Sequence, residues 1–392
     1  MENKKEDTKP FSKANENRKK WIGMGCMLLA GAIAGFSVGM ISAKSGVQEE
    51  VGMKYMVSLG VDILAICVGI YGQLIIHEAG HLVFGLLSGY RFSSFRIGNM
   101  MWLKENGKLV FRKLTIAGTG GQCLMVPPEM KQDKIPVFLY NLGGCIMNVI
   151  VSVLVFIVYI LIPKGNIGSA LLLAVAVGGM LIAVTNGVPL TVGMIDNDGK
   201  NAVSLGKNPA AMKAFWLQLK VNEQLTKGIR LKDMPDDWFV FPEQHEMKNS
   251  MVATQAVFVC NRLLDQNQFQ EADRLMKRLW ETQNGVVGLH RSLLVCDRMY
   301  CEMIGENRSE ILANMFTQEQ KKFMKSMKRF PSVIRTEYTY AVLVEKNMEK
   351  AKQLQILFDK TAKTYPYPSD VQSERELMQR VDFIQCNRYN EH

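Results

Sequence analysis

Four long stretches with almost no charge constrain this chain more than any other feature. Residues 21–43, 53–89, 136–162 and 167–185 are nearly free of Asp, Glu, Lys and Arg, whereas residues 1–20 and 200–392 are richly charged. About 20 apolar residues in a helix cross the ~30 Å hydrocarbon core of a bilayer. Each stretch meets or approaches that length, so the sequence predicts four transmembrane helices. The first follows Arg18-Lys19-Lys20. It is too long for the apolar region of a signal peptide and reads as an uncleaved anchor.

Lys and Arg in short loops set the orientation of such a protein. Residues 1–20 carry Lys4, Lys5, Lys9, Lys13, Arg18, Lys19 and Lys20, and the loop between the second and third spans holds eight more Lys and Arg. The other two loops hold little beyond Lys44, Lys54 and Lys164. The expectation is a multi-pass cell-membrane protein with both termini cytoplasmic. The net charge of +10 is then mostly a topology signal, helped by attraction to anionic lipid. A nucleic-acid partner is not expected, because the basic residues flank spans and no nucleic-acid motif accompanies them. The eight cysteines are scattered without a CxxC pair and read as buried free thiols.

Between the second and third spans, strand character replaces helix. Phe92–Ile97, Met100–Leu103 and Leu109–Leu114 are short apolar-rich runs, the last two separated by Glu105-Asn106-Gly107-Lys108. Asn-Gly between such runs favours a β-hairpin, because its tight turn needs positive φ. Gly118–Gly121 and Pro127-Pro128 break regular structure. The fourth span decays at Asn186-Gly187-Val188-Pro189. From Asn201 onward the pattern is amphipathic helix, with one early helix through Met212–Val221. Val252–Leu264 with Phe269–Trp280, and Val333–Lys346 with Met348–Phe358, read as antiparallel pairs that faintly suggest tetratricopeptide hairpins. The fold class is therefore mainly α: a polytopic membrane protein with a short β-hairpin loop and a cytoplasmic all-α C-terminal domain. Its parts are a basic tail (1–20), an anchor (21–43), a membrane core (53–200) and a helical domain (201–392).

His77-Glu78-Ala79-Gly80-His81 lies inside the second span. Residues i and i+4 share a helix face, so both imidazoles can bind one Zn²⁺. Glu78 beside them can take a proton from the attacking water and hand it to the leaving amine. Ionisable groups in a span cost at least ~2.5 kcal/mol each on insertion scales, which makes them functional by default. Catalytic zinc takes three protein ligands and keeps one position open. His245, His290 and His392 fall in the charged half, so an acid is the better third ligand, and either Asp196 or Asp198 can fold back from the end of the fourth span. Asn148 can serve as interhelical glue or donate to a developing oxyanion. Asp62 lies fifteen residues before His77, roughly 22 Å along a helix, and is no ligand.

Three features in this order resemble the site-2 protease family of intramembrane zinc proteases. They are His77–His81 in one span, Gly144-x-x-x-Asn148 in the next, and Asn186-x-x-Pro189 followed by Asp198-Gly199 at the end of the third. The likeness covers roughly residues 53–200. It implies one Zn²⁺ per chain on His77, His81 and Asp198, Glu78 as general base, and Asn148 and Asn186 near the scissile bond. It also implies an active site on the cytoplasmic side. Pro189 to Asp198 is longer than the usual spacing, which keeps Asp196 as the alternative ligand.

The resulting expectation is a zinc metalloendopeptidase that cuts membrane-spanning proteins or membrane-bound peptide precursors, with residues 201–392 available to a cytoplasmic protein partner. One alternative is a membrane metalloprotease of another class with Glu as third ligand, but Glu105 and Glu129 both lie in the loop. The other is a non-enzymatic receptor or scaffold with a structural zinc site.

Overall fold

A computed structural model describes residues 53–390 apart from 106, 117–118, 165–166, 193–194 and 207. The basic tail and the first expected span lie outside the described residues. Among the described residues, three helices are long and apolar enough to cross a membrane. They are α1 (Met53–Leu87), α2 (Phe138–Leu161) and α3 (Ile167–Gly187), close to the three remaining expected spans. Leu64, Leu87, Leu154 and Leu161 on α1 and α2 are all more than half exposed. Such surface suits hydrocarbon as solvent, whereas in water each would forfeit ~25 cal/mol per Å² of apolar area left unburied.

The chain divides into two compact units. The described part of the first comprises residues 53–73 and Cys145–Lys200. Its interior holds a polar connection inside apolar helices. The Gln73 amide on α1 donates to the Val175 carbonyl of α3 at 2.9 Å. Asn148 of α2 donates to both the backbone carbonyl and the side-chain oxygen of Gln73, at 2.9 and 2.7 Å. Both side chains are fully buried. A buried amide without partners is expensive in a medium that offers none, so this pairing fixes the register of the three helices. Gly179 makes room for it, since a Cβ there would lie 2.5 Å from the Gln73 side chain.

The second unit holds Leu74–Gly144 and the chain from Asn201 onward. Its sheet runs β3-β2-β1-β4, all antiparallel, built from β1 (Arg91–Ile97), β2 (Met100–Glu105), β3 (Lys108–Lys113) and β4 (Gly121–Val126). The expected hairpin is β2–β3, closed at the pair Glu105 and Lys108, with Gly107 at φ +80°. The fourth strand begins on Gly121, inside the stretch expected to break structure. Its strand character is short, preceded by Gly120 and followed by Pro127-Pro128, and it is pairing with β1 that makes it regular. Met101 and Leu103 point into the core with less than 2% exposure, and the alternation of strand side chains puts Trp102 and Lys104 on the other face.

The helical half packs against that sheet. Leu114, Met101, Leu217, Val221, Tyr365 and Tyr367 form one apolar cluster, and the Lys113 N–H donates to the Thr364 carbonyl at 2.8 Å. Both expected helix pairs form, as Ser250–Asp265 with Phe269–Glu281 and Pro331–Leu343 with Met348–Ala362. Asn208, Asn249 and Asn347 cap three of the helices by accepting backbone N–H bonds. Ala272 and Ala351 are fully buried at their pair contacts, where a larger side chain would separate the backbones. Beside the shorter Ser309–Met315 and Gln318–Ser326, two long helices without an assignment from sequence, Gly288–Ile304 and Pro368–Asn390, complete the bundle. Their apolar stripes are interrupted by Asp297 and Glu374, which turn inward to pair with the buried Arg335.

Candidate functional site

The end of α1 from Leu74 to Leu87 carries the charged motif. His77, Glu78 and His81 are each less than a tenth exposed. The helix puts the two imidazoles one above the other, and their Nε2 atoms approach to 3.2 Å. Two nitrogens bound at ~2.0–2.1 Å to a tetrahedral zinc lie roughly 3.3 Å apart. On the far side of the ring, His81 Nδ1 lies 2.8 Å from the Tyr140 carbonyl. A proton on Nδ1 donated to that carbonyl leaves the Nε2 lone pair free to ligate, the usual second-shell device for a metal-bound histidine. Tyr140 is held in turn by its hydroxyl, which donates to the Cys123 carbonyl of β4 at 2.9 Å, and by stacking on Tyr90 at 4.7 Å.

Two glycines create the space these side chains occupy. A Cβ on Gly144 would sit 2.6 Å from Cε1 of His77, and a Cβ on Gly121 would sit 2.6 Å from Cγ of Glu78. Gly143 is equally confined, with the Gly80 carbonyl 2.7 Å from its Cβ position. The pair Gly143-Gly144 thus lets α2 approach the backbone and imidazole of α1. Gly121 lets the start of β4 pass over the Glu78 carboxyl group. Arg96, buried in β1, anchors that passage: its guanidinium donates to Thr119 Oγ1 and Gly98 O at 2.6 Å and to Gly121 O at 3.2 Å.

The segment after α3 is organised by Asn197. Its side-chain oxygen accepts the backbone N–H groups of Leu190 and Lys200 at 3.0 Å, and its amide donates to the Thr185 and Val188 carbonyls. These bonds restrain the chain after Pro189 and begin the helix Asp198–Gly206. Gly199 follows in close contact with Gly187, whose carbonyl carbon would lie 2.6 Å from a Cβ. Asp196 pairs with Lys200 at 2.6 Å. Asn186 donates to the Ile182 carbonyl of its own helix at 3.0 Å.

His77 and His81 bring two imidazole donors together on one helix face, and Asp198 opens the helix that follows Asn197. Two imidazoles with facing Nε2 atoms are donors that zinc accepts, so the residues present fit that ion. Sequence reasoning named all three. It missed Gln73, Tyr140, the anchoring bonds of Arg96 and the space that Gly121 leaves for Glu78. Gln73 carried a usable signal, an amide one turn before His77 in an otherwise apolar span; the others act only through contacts remote in sequence.

Comparison with known proteins agrees with this geometry. The model of peptidase family M50 matches residues 65–361, extending far beyond the sequence motifs and into the helical half. No curated protein and no solved structure matches the chain. With its motif in an apolar helix and its match over most of its length, the chain belongs to peptidase family M50, the site-2 protease family.

Proposed function

We propose that this protein is a zinc-dependent intramembrane endopeptidase acting on single-span membrane proteins or membrane-bound peptide precursors. The observation that carries the reading is a pair of imidazoles with facing Nε2 atoms beside a buried carboxylic acid in an apolar helix. His77, His81 and Asp198 are the proposed ligands of one Zn²⁺, with Asp196 disfavoured because Lys200 already pairs with it. The ion supplies Lewis acidity, which brings the pKa of a bound water to ~7. Glu78 is the general base: it accepts the proton of the attacking water and returns it to the departing amine. Three ligands leave a position open for chemistry, whereas a structural scaffold site would be closed by a fourth.

The remaining roles follow from the contacts. Both amide hydrogens of Asn148 are engaged by Gln73, so its first duty is to brace α1 one turn before His77, and an oxyanion role requires that bond to open. Asn186 keeps the substrate-side role that the family likeness implies. Peptide carbonyls are hidden in a helical substrate, so cleavage needs an extended segment. The sheet from Arg91 to Val126, with the turn Thr119–Gly121 beside Glu78, would receive it by strand addition. The proposed setting is the cell membrane with both termini cytoplasmic, residues 53–200 as protease core and residues 201–392 as a helical module for a protein partner. Membrane-peptide proteomics of cells carrying wild type or Glu78→Gln tests the reaction. Fragments ending within or beside a span should be present with wild type and vanish with the variant; identical fragment sets would reject the reading.

A further inference from the structure

The helical half encloses a cavity of about 210 Å³. Phe258, Leu293, Phe330 and Leu377 supply apolar walls, while Asp265, Asp297, Asp370 and Glu374 all reach its lining. Two guanidinium groups answer these four carboxylates. Arg230 binds Asp265 and also Glu376, at 2.6 Å. Asp265 is saturated, since it further accepts the Ser373 hydroxyl and the Lys232 N–H. Arg335 binds Asp297 and Glu374 through one oxygen each, the latter at 2.8 Å. Asp370 has neither a cation nor a hydrogen-bond donor among the described residues, and its charged neighbours are the like-charged Glu374 and Asp265. The same lining includes His290, whose Nδ1 is enclosed without a hydrogen-bond partner among the described residues.

We propose that this cavity binds a primary ammonium group carried on a short apolar chain, with the carboxylates of Asp370 and Glu374 as its acceptors. An ammonium presents three donors, and the two Asp370 oxygens with the second Glu374 oxygen offer three acceptors that the described residues do not use. The excess of carboxylate over guanidinium rejects anions. The apolar walls suit a hydrocarbon stem and leave too few oxygens for the six to eight that calcium takes. Burial pushes the His290 imidazole down to about 4, so the ring adds no positive charge to the lining. Burial and the neighbouring acids push the Asp370 carboxyl up to about 7, a strain that a bound cation relieves. Such binding is independent of the peptidase reaction. A free alkylamine and the lysine side chain of a peptide share this chemistry.

Calorimetry on the full chain in detergent micelles tests it, with pentylamine, 1-pentanol and acetyl-Gly-Lys-Gly-amide as probes. At least one of the two amines should bind saturably below ~10 mM, while the equally long alcohol should not. Binding by pentylamine alone marks a free amine as the source, and binding by the peptide marks a lysine side chain. Asp370→Asn should weaken the effective amine by about tenfold or more, and Leu293→Trp, which fills the cavity, should abolish binding. No saturable binding of either amine would overturn the proposal. So would unchanged affinity in a folded Asp370→Asn or Leu293→Trp protein.

Discussion

Glu78 and His77 each face a glycine whose missing side chain is what gives them room, so the chemistry of the site depends on residues with no chemistry of their own. Gly144→Ala should displace the His77 ring, and displacement of a catalytic group by ~1 Å costs on the order of a hundredfold in rate. Metal analysis of that variant should show reduced zinc as well. Glu78→Gln keeps the ligands and removes the base, so it should retain full zinc while cleavage falls by about 10²–10⁴-fold. Asp198→Asn should lose zinc and Asp196→Asn should keep it; equal retention in both would reject the ligand assignment. In the helical half, Asp370 gives a pH signature. Its folded-state pKa near 7 lies above the ordinary value of 3.8, so between those values the folded state binds more protons than the unfolded one. Its contribution therefore stabilises the fold as pH falls from about 7 toward 4 and weakens it as pH rises through that window. Asp370→Asn should raise the melting temperature at pH 8 and flatten its dependence on pH, read by thermal melts across that range.

Elements were legible where one interaction dominates them. The three described spans follow from apolar length, and both helix pairs of the C-terminal half follow from their apolar stripes. The β2–β3 hairpin follows from Asn106-Gly107. β4 was not legible, because Gly120-Gly121 reads as a break until β1 lies alongside and Glu78 demands a position without a Cβ. The helices Gly288–Ile304 and Pro368–Asn390 were hidden for a related reason: their inward faces carry acids that only a distant arginine makes tolerable. Among membrane elements, the Gln73–Asn148 pair carries the strongest expectation. Asn148→Ala leaves both Gln73 oxygens without those donors, at a cost of about 1–3 kcal/mol. The check is a lower melting temperature in micelles, together with reduced cleavage because α1 is less firmly held next to His77.

In each of the two units, polar groups buried in apolar surroundings set the organisation of the helices around them. In the helical half, Arg335 is fully buried between Asp297 and Glu374. Arg335→Met leaves two enclosed carboxylates unpaired, and breaking a buried pair in this way costs about 3–5 kcal/mol. Urea unfolding of the variant should show an earlier midpoint for the helical half. Sequence by itself determined the three described apolar helices, the HExxH stretch within one of them and the helical character of the chain beyond residue 200. These depend on local length, spacing and side-chain type, which are written along the chain. Only tertiary structure decided that Gly121 and Gly144 accommodate Glu78 and His77, that Tyr140 orients His81, that Gln73 joins three helices, and that a carboxylate-lined cavity opens in the helical half. Each of these depends on atoms tens to hundreds of residues apart being brought within van der Waals or hydrogen-bond distance, and no local pattern encodes that.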